Sequence, residues 1–237
     1  MFSVFFSATY IESIDIPPHV TEIGEWAFKE CSFLKSINLN SELKTIGKGA
    51  FFYTIVETIH IKENVIELAD GWNNGLISLK KIIIANENKN FKISDDGIFC
   101  FGKSDPKSDE YDTIVFSNGN IANVTIPPFI KKIGSGAFAY SKLESITIPK
   151  QVIEISEGSF SDCKELKKVD FEEKSELQII GKFAFKNSSI EEIMIPQHVT
   201  KISKGAFLWC SSLQQINIPD DSELQVIEEG AFSNSSL

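Results

Sequence analysis

All 23 cationic residues of this 237-residue chain are lysine, and arginine is absent. Its absence removes the planar fork that clamps carboxylates and phosphates through paired hydrogen bonds, and the side chain most used to read bases. With 33 acidic residues the net charge is −10. A nucleic-acid partner, which needs clustered cations along the phosphate backbone, is therefore excluded. Long apolar runs are missing too. No stretch approaches the roughly 18 residues that a membrane-crossing helix needs, so no membrane insertion within this chain is expected. Histidine occurs three times; no Cys/His cluster has metal-ligand spacing and no Cys-x-x-Cys is present, so neither a metal site nor a cofactor is expected. No Ser/His/Asp or Cys/His set falls on adjoining segments, which argues against an enzyme.

What the chain does contain is a beat. A pattern of the form L-x-x-I-x-I-P…V-x-x-I-x-x-G-A-F recurs every 22–25 residues, as in Ile11–Pro17 leading to Ala27-Phe28 and Ile190–Pro196 leading to Ala206-Phe207. The first apolar residue of each I-x-I core falls at positions 14, 37, 59, 82, 124, 146, 169, 193 and 216, in steps of 23, 22, 23, 42, 22, 23, 24 and 23. Phenylalanine closes the unit in the same phase, at Phe6, Phe28, Phe51, Phe138, Phe160, Phe185, Phe207 and Phe232. A fixed period of this length marks a solenoid, whose units bury their apolar faces only by stacking.

Each unit has a physical reading. The alternation at Ile14/Ile16, Ile146/Ile148 and Ile216/Ile218 is that of a short strand with one buried face. Coils that run in the same direction pair these strands in parallel. Proline follows the strand at Pro17, Pro127, Pro149, Pro196 and Pro219, where no N–H is needed. The next apolar pair (Val152/Ile155, Val199/Ile202) returns inward, and Ala-Phe plugs the far side of the core on an expected helical turn. Cys31, Cys163 and Cys210 share the register three residues after phenylalanine. Cys163 and Cys210 are two coils apart, about 10 Å at the strand spacing, beyond the roughly 7 Å that a disulfide spans. They are expected as buried free thiols. The third unit departs from the pattern, carrying Trp72 where Ala-Phe is due, and the seventh strand carries Phe171-Glu172 in place of Ile-Pro.

The unit Ile195-Pro196-Gln197-His198-Val199-Thr200-Lys201-Ile202, continued by Ala206-Phe207 and Cys210, resembles the BspA-like class of leucine-rich repeat. The resemblance covers almost the whole chain. It implies an α/β fold: a right-handed leucine-rich-repeat solenoid, or horseshoe, with one long parallel β-sheet, short helical turns opposite, and one β-hairpin insertion. The step of 42 is explained by an irregular hairpin unit at about 86–123, with Asp96-Gly97-Ile98-Phe99-Cys100-Phe101 and Thr113–Phe116 flanking a polar tip at 102–112. The expected organisation is one array over 1–237, with both ends inside a repeat. Met1–Ala8 lacks a basic n-region and fits the tail of a preceding repeat, with Phe6 in phase, rather than a signal peptide. End-to-end association through the terminal repeats is expected on the same ground.

Strand residues facing away from the core form a second ladder: Asp15, Asn38, His60, Ile83, Thr125, Thr147, Asp170, Met194 and Asn217. The resemblance makes this the concave, ligand-binding face, and Ile83 and Met194 read as exposed apolar residues on it. A solvated sheet face selected for β-propensity would also explain its Ser and Thr content. His19 and His198 share a register and read as repeat-loop residues. The sequons at Asn123, Asn187 and Asn234 carry little weight in a chain rich in Ser and Asn. The family implies a surface or secreted adhesion protein that engages host or cell-surface protein partners. An intracellular leucine-rich-repeat scaffold for protein–protein interaction is the alternative.

Overall fold

The computed structural model describes residues 10–117 and 121–237. Phe6 and the opening segment therefore lie outside the described residues, as do positions 118–120 of the hairpin unit. The chain divides into two compact units, 1–111 and 112–237. Each is a stack of β-solenoid coils wound in the right-handed sense, the hand that parallel crossovers almost always take.

In the first unit a coil begins with strand β1 (Ser13–Asp15) and returns through the two-residue strand β2 (Glu22–Ile23). The next coils repeat this with β3 (Ser36–Asn38) and β4 (Thr45–Ile46), then β5 (Thr58–Ile61) and β6 (Glu67–Leu68), then β7 (Lys81–Ile84) and β8 (Lys92–Ile93). Pairing is parallel at β1–β3, β5–β7 and along β2–β4–β6. The break comes at β8, which pairs antiparallel with β9 (Phe99–Gly102) in the register Lys92 opposite Phe101. The turn between them is closed by Asp96. Its carboxylate accepts from the Ser94 hydroxyl at 2.5 Å and the Ile98 N–H at 2.9 Å, which hold its pKa below the usual carboxylate value. Gly97 takes φ +74°. An antiparallel turn thus closes at residues 94–98, and β9 runs from it into the polar segment expected as the tip at 102–112. Within that tip Asp105, Asp109 and Glu110 are exposed, whereas Asp112 is buried.

The second unit holds β10 (Thr113–Ser117), β11 (Lys132–Ile133), β12 (Ser145–Ile148), β13 (Glu154–Ile155), β14 (Lys168–Phe171), β15 (Ile179–Ile180), β16 (Glu192–Met194), β17 (Lys201–Ile202), β18 (Gln215–Asn217) and β19 (Val226–Ile227). Two parallel ladders result. One runs β12–β14–β16–β18, and the other runs through β10, β11, β13, β15, β17 and β19. The second ladder is built from the V-x-x-I return segments, which the sequence marks only as inward-facing. Residues 121–127 form no strand.

Opposite the strands, the Ala-Phe segments are not helical, and no helix forms among the described residues. The reason lies in where the N–H groups go. Phe185 donates to Ala206 O of the next coil at 2.7 Å, and its second neighbours Phe183 and Asn187 donate across to Lys204 O and Leu208 O. The intervening Ala184, Lys186 and Ser188 close i→i−3 turns instead. Every second donor is committed to the neighbouring coil, so the i→i−4 ladder of an α-helix has no donors to draw on. The backbone reaches left-handed geometry on either side of the phenylalanine, at Phe183 (φ +56°) and Asn187 (φ +57°). Glycine takes the first of these places in several coils. A Cβ at Gly49 would stand 2.3 Å from the Trp26 ring of the preceding coil.

The stacked turns bring the rings together. Phe138, Phe160, Phe185, Phe207 and Phe232 stack with centroids 5.0–5.2 Å apart and planes within 9°. Phe28 and Phe51 do the same at 5.8 Å. In the third coil Asn73 takes the phenylalanine register, between the left-handed Gly71 and Gly75, and Trp72 beside it is fully buried, with its Nε1–H lacking a hydrogen-bond partner. All four cysteines are free and buried. Burial pushes the Cys100 and Cys163 thiols up to about 12.

Phe185→Ala removes the ring between two stacked neighbours and is expected to lower unfolding free energy by about 3–5 kcal/mol in a urea titration. The thiolate is the reactive form, and at neutral pH these raised values leave almost none of it. The folded protein should resist a thiol-specific chromophoric reagent, and titrate four thiols only after unfolding.

Candidate functional site

The strand alternation that buries Ile146 and Ile148 necessarily turns Thr147 outward. The structure places the outward ladder in the expected register. In the first unit Asp15 sits beside Asn38, and His60 beside Ile83. In the second, Thr147 sits beside Asp170, and Met194 beside Asn217. Asp15, Asn38, His60, Thr147 and Met194 are exposed. Two residues depart from the expectation. Ile83 is half-buried rather than exposed, as Asp170 and Asn217 also are. Thr125 is exposed but lies on no strand, so it joins no ladder.

Each unit opens one groove on this face. In the first unit a groove of about 650 Å³ is lined by Asp15, Asn38 and His60, the flanking Ser13, Ser36 and Thr58, and Lys35, Glu57 and Lys62. Two of its rim charges are paired from coil to coil, Lys35 with Glu12 at 3.1 Å and Lys80 with Glu57 at 2.7 Å. In the second unit a groove of about 560 Å³ centres on Met194, 64% exposed, with Lys168, Asp170, Glu192 and Asn217 around it. Lys168 bonds Asp170 at 2.8 Å, which raises the lysine pKa.

The wall of this second groove was not legible as a site from the ladder alone. It is formed by Glu172, Glu173, Lys174 and Ser175, where the missing Ile-Pro lets the chain loop outward with Lys174 at φ +59°. His198, on the other wall, bonds Glu223 at 2.9 Å. The 24-residue step and the lost proline were the available signals.

Chemically these grooves offer hydroxyl, amide and paired-charge contacts around a flexible thioether. Such surfaces suit recognition of an extended chain. Among the described residues, no three His, Cys, Asp or Glu side chains converge as metal ligands, and no helix is long and apolar enough to cross a membrane.

The sequence profile of the BspA type leucine rich repeat region matches residues 2–102 and 131–237 in six copies. Among solved structures, the pneumococcal vaccine antigen PcpA is similar at 22% identity with a TM-score of 0.77, over 89% of this chain and 51% of that one. A leucine-rich cell surface protein of Faecalibacterium prausnitzii is similar at 23% identity with a TM-score of 0.66, over 88% of this chain and 60% of its own. A leucine-rich repeat protein of Eubacterium ventriosum gives 19% identity and 0.56, over 96% and 77%. The chain thus spans less than two thirds of the first two. At these identities the likeness is one of fold. No functionally curated protein matches the chain.

A face selected for contact rather than folding should tolerate substitution. Thr147→Lys and Met194→Lys are expected to shift stability by no more than about 0.5 kcal/mol. Ile146→Lys, one position away, buries an unpaired ammonium and should abolish cooperative unfolding. Circular dichroism melts of the three variants check this.

Proposed function

Because the chain belongs to the BspA-type leucine-rich-repeat family, we propose that it is a non-enzymatic protein-binding module of a cell-surface adhesion protein. Its partner, a host or cell-surface protein, is held on the outward face of the first-strand ladder. One observation carries the reading: each unit has a groove on the outward side of its own first-strand ladder, built from different residues. Repeat arrays present extended surfaces of this kind to partners. The names of the similar proteins, a vaccine antigen and a cell surface protein, support a surface location.

The ladder residues carry distinct roles in this reading. His60, Asp15 and Asn38 supply directional hydrogen bonds in the first groove, and Met194 supplies adaptable apolar contact in the second. Thr147, Asp170 and Asn217 extend the polar lining, with Ile83 and Thr125 at the margins. An intracellular scaffold is the second reading, and the four free cysteines are compatible with it, since thiols stay reduced in that compartment.

Pull-down from host-cell extracts with the wild type, a His60→Glu/Met194→Lys double variant and a Lys204→Gln control tests the face. Capture should persist in the control and fall at least about tenfold in the double variant, the scale of lost hot-spot residues. Equal capture by all three would remove the ladder from consideration. Protease treatment of intact cells separates the locations: a surface protein is digested, an intracellular scaffold is not.

A further inference from the structure

The turn face of the second unit carries a feature that neither core packing nor the ladder explains. The position two residues after each core phenylalanine is left-handed, at Tyr140 (φ +61°), Asp162 (φ +59°), Asn187 (φ +57°), Trp209 (φ +61°) and Asn234 (φ +57°). Asp and Asn adopt this conformation at small cost, because their short side chains bond locally; a bulky residue there is an outlier. Burial does not offset the cost for Trp209, which is 49% exposed. Strain kept without a packing return points to a residue retained for what it touches.

Its surroundings define the ligand. Lys186 Nζ stands 5.1 Å from the Trp209 ring centroid and 5.8 Å from that of Phe183. Among the described residues no carboxylate lies within ion-pair distance of this ammonium, whereas Lys168, Lys201 and Lys204 of the same unit bond Asp170, Glu228 and Glu229 at 2.6–2.8 Å. One coil away, Asn187 Nδ2 donates to Asp162 Oδ1 at 2.6 Å, which fixes both planar groups. Asn234 occupies the same column on the other side.

We propose that this patch binds an acidic glycan, with a hexuronate ring stacked on Trp209 and its carboxylate on Lys186. A pyranose presents an apolar C–H face to an aromatic ring, and the aromatic ring is the large rigid contact surface such a face needs. Its hydroxyls match the carboxamides and carboxylate in the adjoining coils, about 4.8 Å away at the strand spacing. The free cation calls for an anion. A lipid surface fits less well. The chain carries a net charge of −10, and the Phe183 ring lies against the coil, where a Cβ at Gly205 would come within 2.4 Å of it, rather than projecting outward.

Isothermal calorimetry of the whole chain tests this with a hexuronate-containing oligosaccharide, a neutral oligosaccharide of equal length, and phosphatidylserine-containing vesicles. Saturable binding of the acidic sugar is expected, at least about tenfold tighter than the neutral one, with no vesicle binding. The repeat supplies its own control. Trp209→Asn introduces the residue that Asn187 and Asn234 already carry at this φ, so stability should hold or rise while sugar affinity falls at least about tenfold. Lys186→Gln should erase the preference for the acidic sugar. Absence of acidic-sugar binding, equal binding by Trp209→Asn, or vesicle binding that depends on Trp209 would each overturn the proposal.

Discussion

The hydrogen bond from each core phenylalanine N–H to the residue before the next phenylalanine sets the rest of the structure. Phe138, Phe160, Phe185 and Phe207 make it at 2.7–2.8 Å. It fixes coil-to-coil distance on the turn side to the spacing that the strand ladders impose on the other side, so the coils stack without wedging apart. The stacked rings follow from this. Their centroids, 5.0–5.2 Å apart, fall within the range aromatic pairs prefer, though their near-parallel planes are dictated by the backbone and not by the ring quadrupole. The alternation of donors between neighbouring coil and local turn demands left-handed residues on both sides of the ring. That demand decides where glycine and asparagine go.

A scaffold closed in this way leaves its outward positions free. Thr147, Asp170, Met194 and Asn217 are neighbours on one sheet face, yet they share no size, charge or polarity. Nothing in the core requires them to. Proline after the strand is similarly replaceable when its job is done otherwise. Asn40 stands in its place, and its side chain donates to Pro17 O and Val20 O while accepting from Glu42 N–H. Recognition can therefore diverge by substitution on the ladder or the turn face, and the coil geometry persists.

Counting isoleucines was enough to place Asp15 beside Asn38 and Met194 beside Asn217, because a parallel ladder with one buried face tolerates no slip by a single residue. The same counting failed where the decisive information was in the backbone. Gly-Ala-Phe followed by a cysteine three residues on has the i, i+3 look of a helical turn, but the spacing of side chains does not reveal that alternate N–H groups leave for the next coil. Ile83 has the alternation of an outward residue and is nevertheless half-buried, as Asp170 and Asn217 are. Trp72 follows a different logic: Asn73 holds the phenylalanine register, and the neighbouring indole is buried at the cost of an unsatisfied N–H. The grooves were half legible. Their floors are the ladder, while the Glu172–Ser175 wall exists because one proline is gone.

The cysteines show how a residue type can carry a structural rather than a redox signal. The column three residues after phenylalanine holds Ser141, Cys163, Ser188 and Cys210 in successive coils. Cys163 Sγ donates to Phe138 O at 3.1 Å and lies 3.2 Å from Ser141 Oγ. Cys210 repeats this with Phe185 O and Ser188 Oγ at 3.0 and 3.3 Å. Where the column carries a hydroxyl instead, Thr54 and Ser235 donate to the carbonyls of Phe51 and Phe232 of their own coils. Each of these four side chains adds a second hydrogen bond to a phenylalanine carbonyl that already accepts the backbone N–H three residues on. Sulfur does so while filling more apolar volume than oxygen. These thiols are buried, protonated and two coils apart along the stack, so neither an oxidising nor a reducing compartment would alter them. Their free state therefore weighs little between a surface adhesin and an intracellular scaffold, and the choice returns to the faces that partners touch.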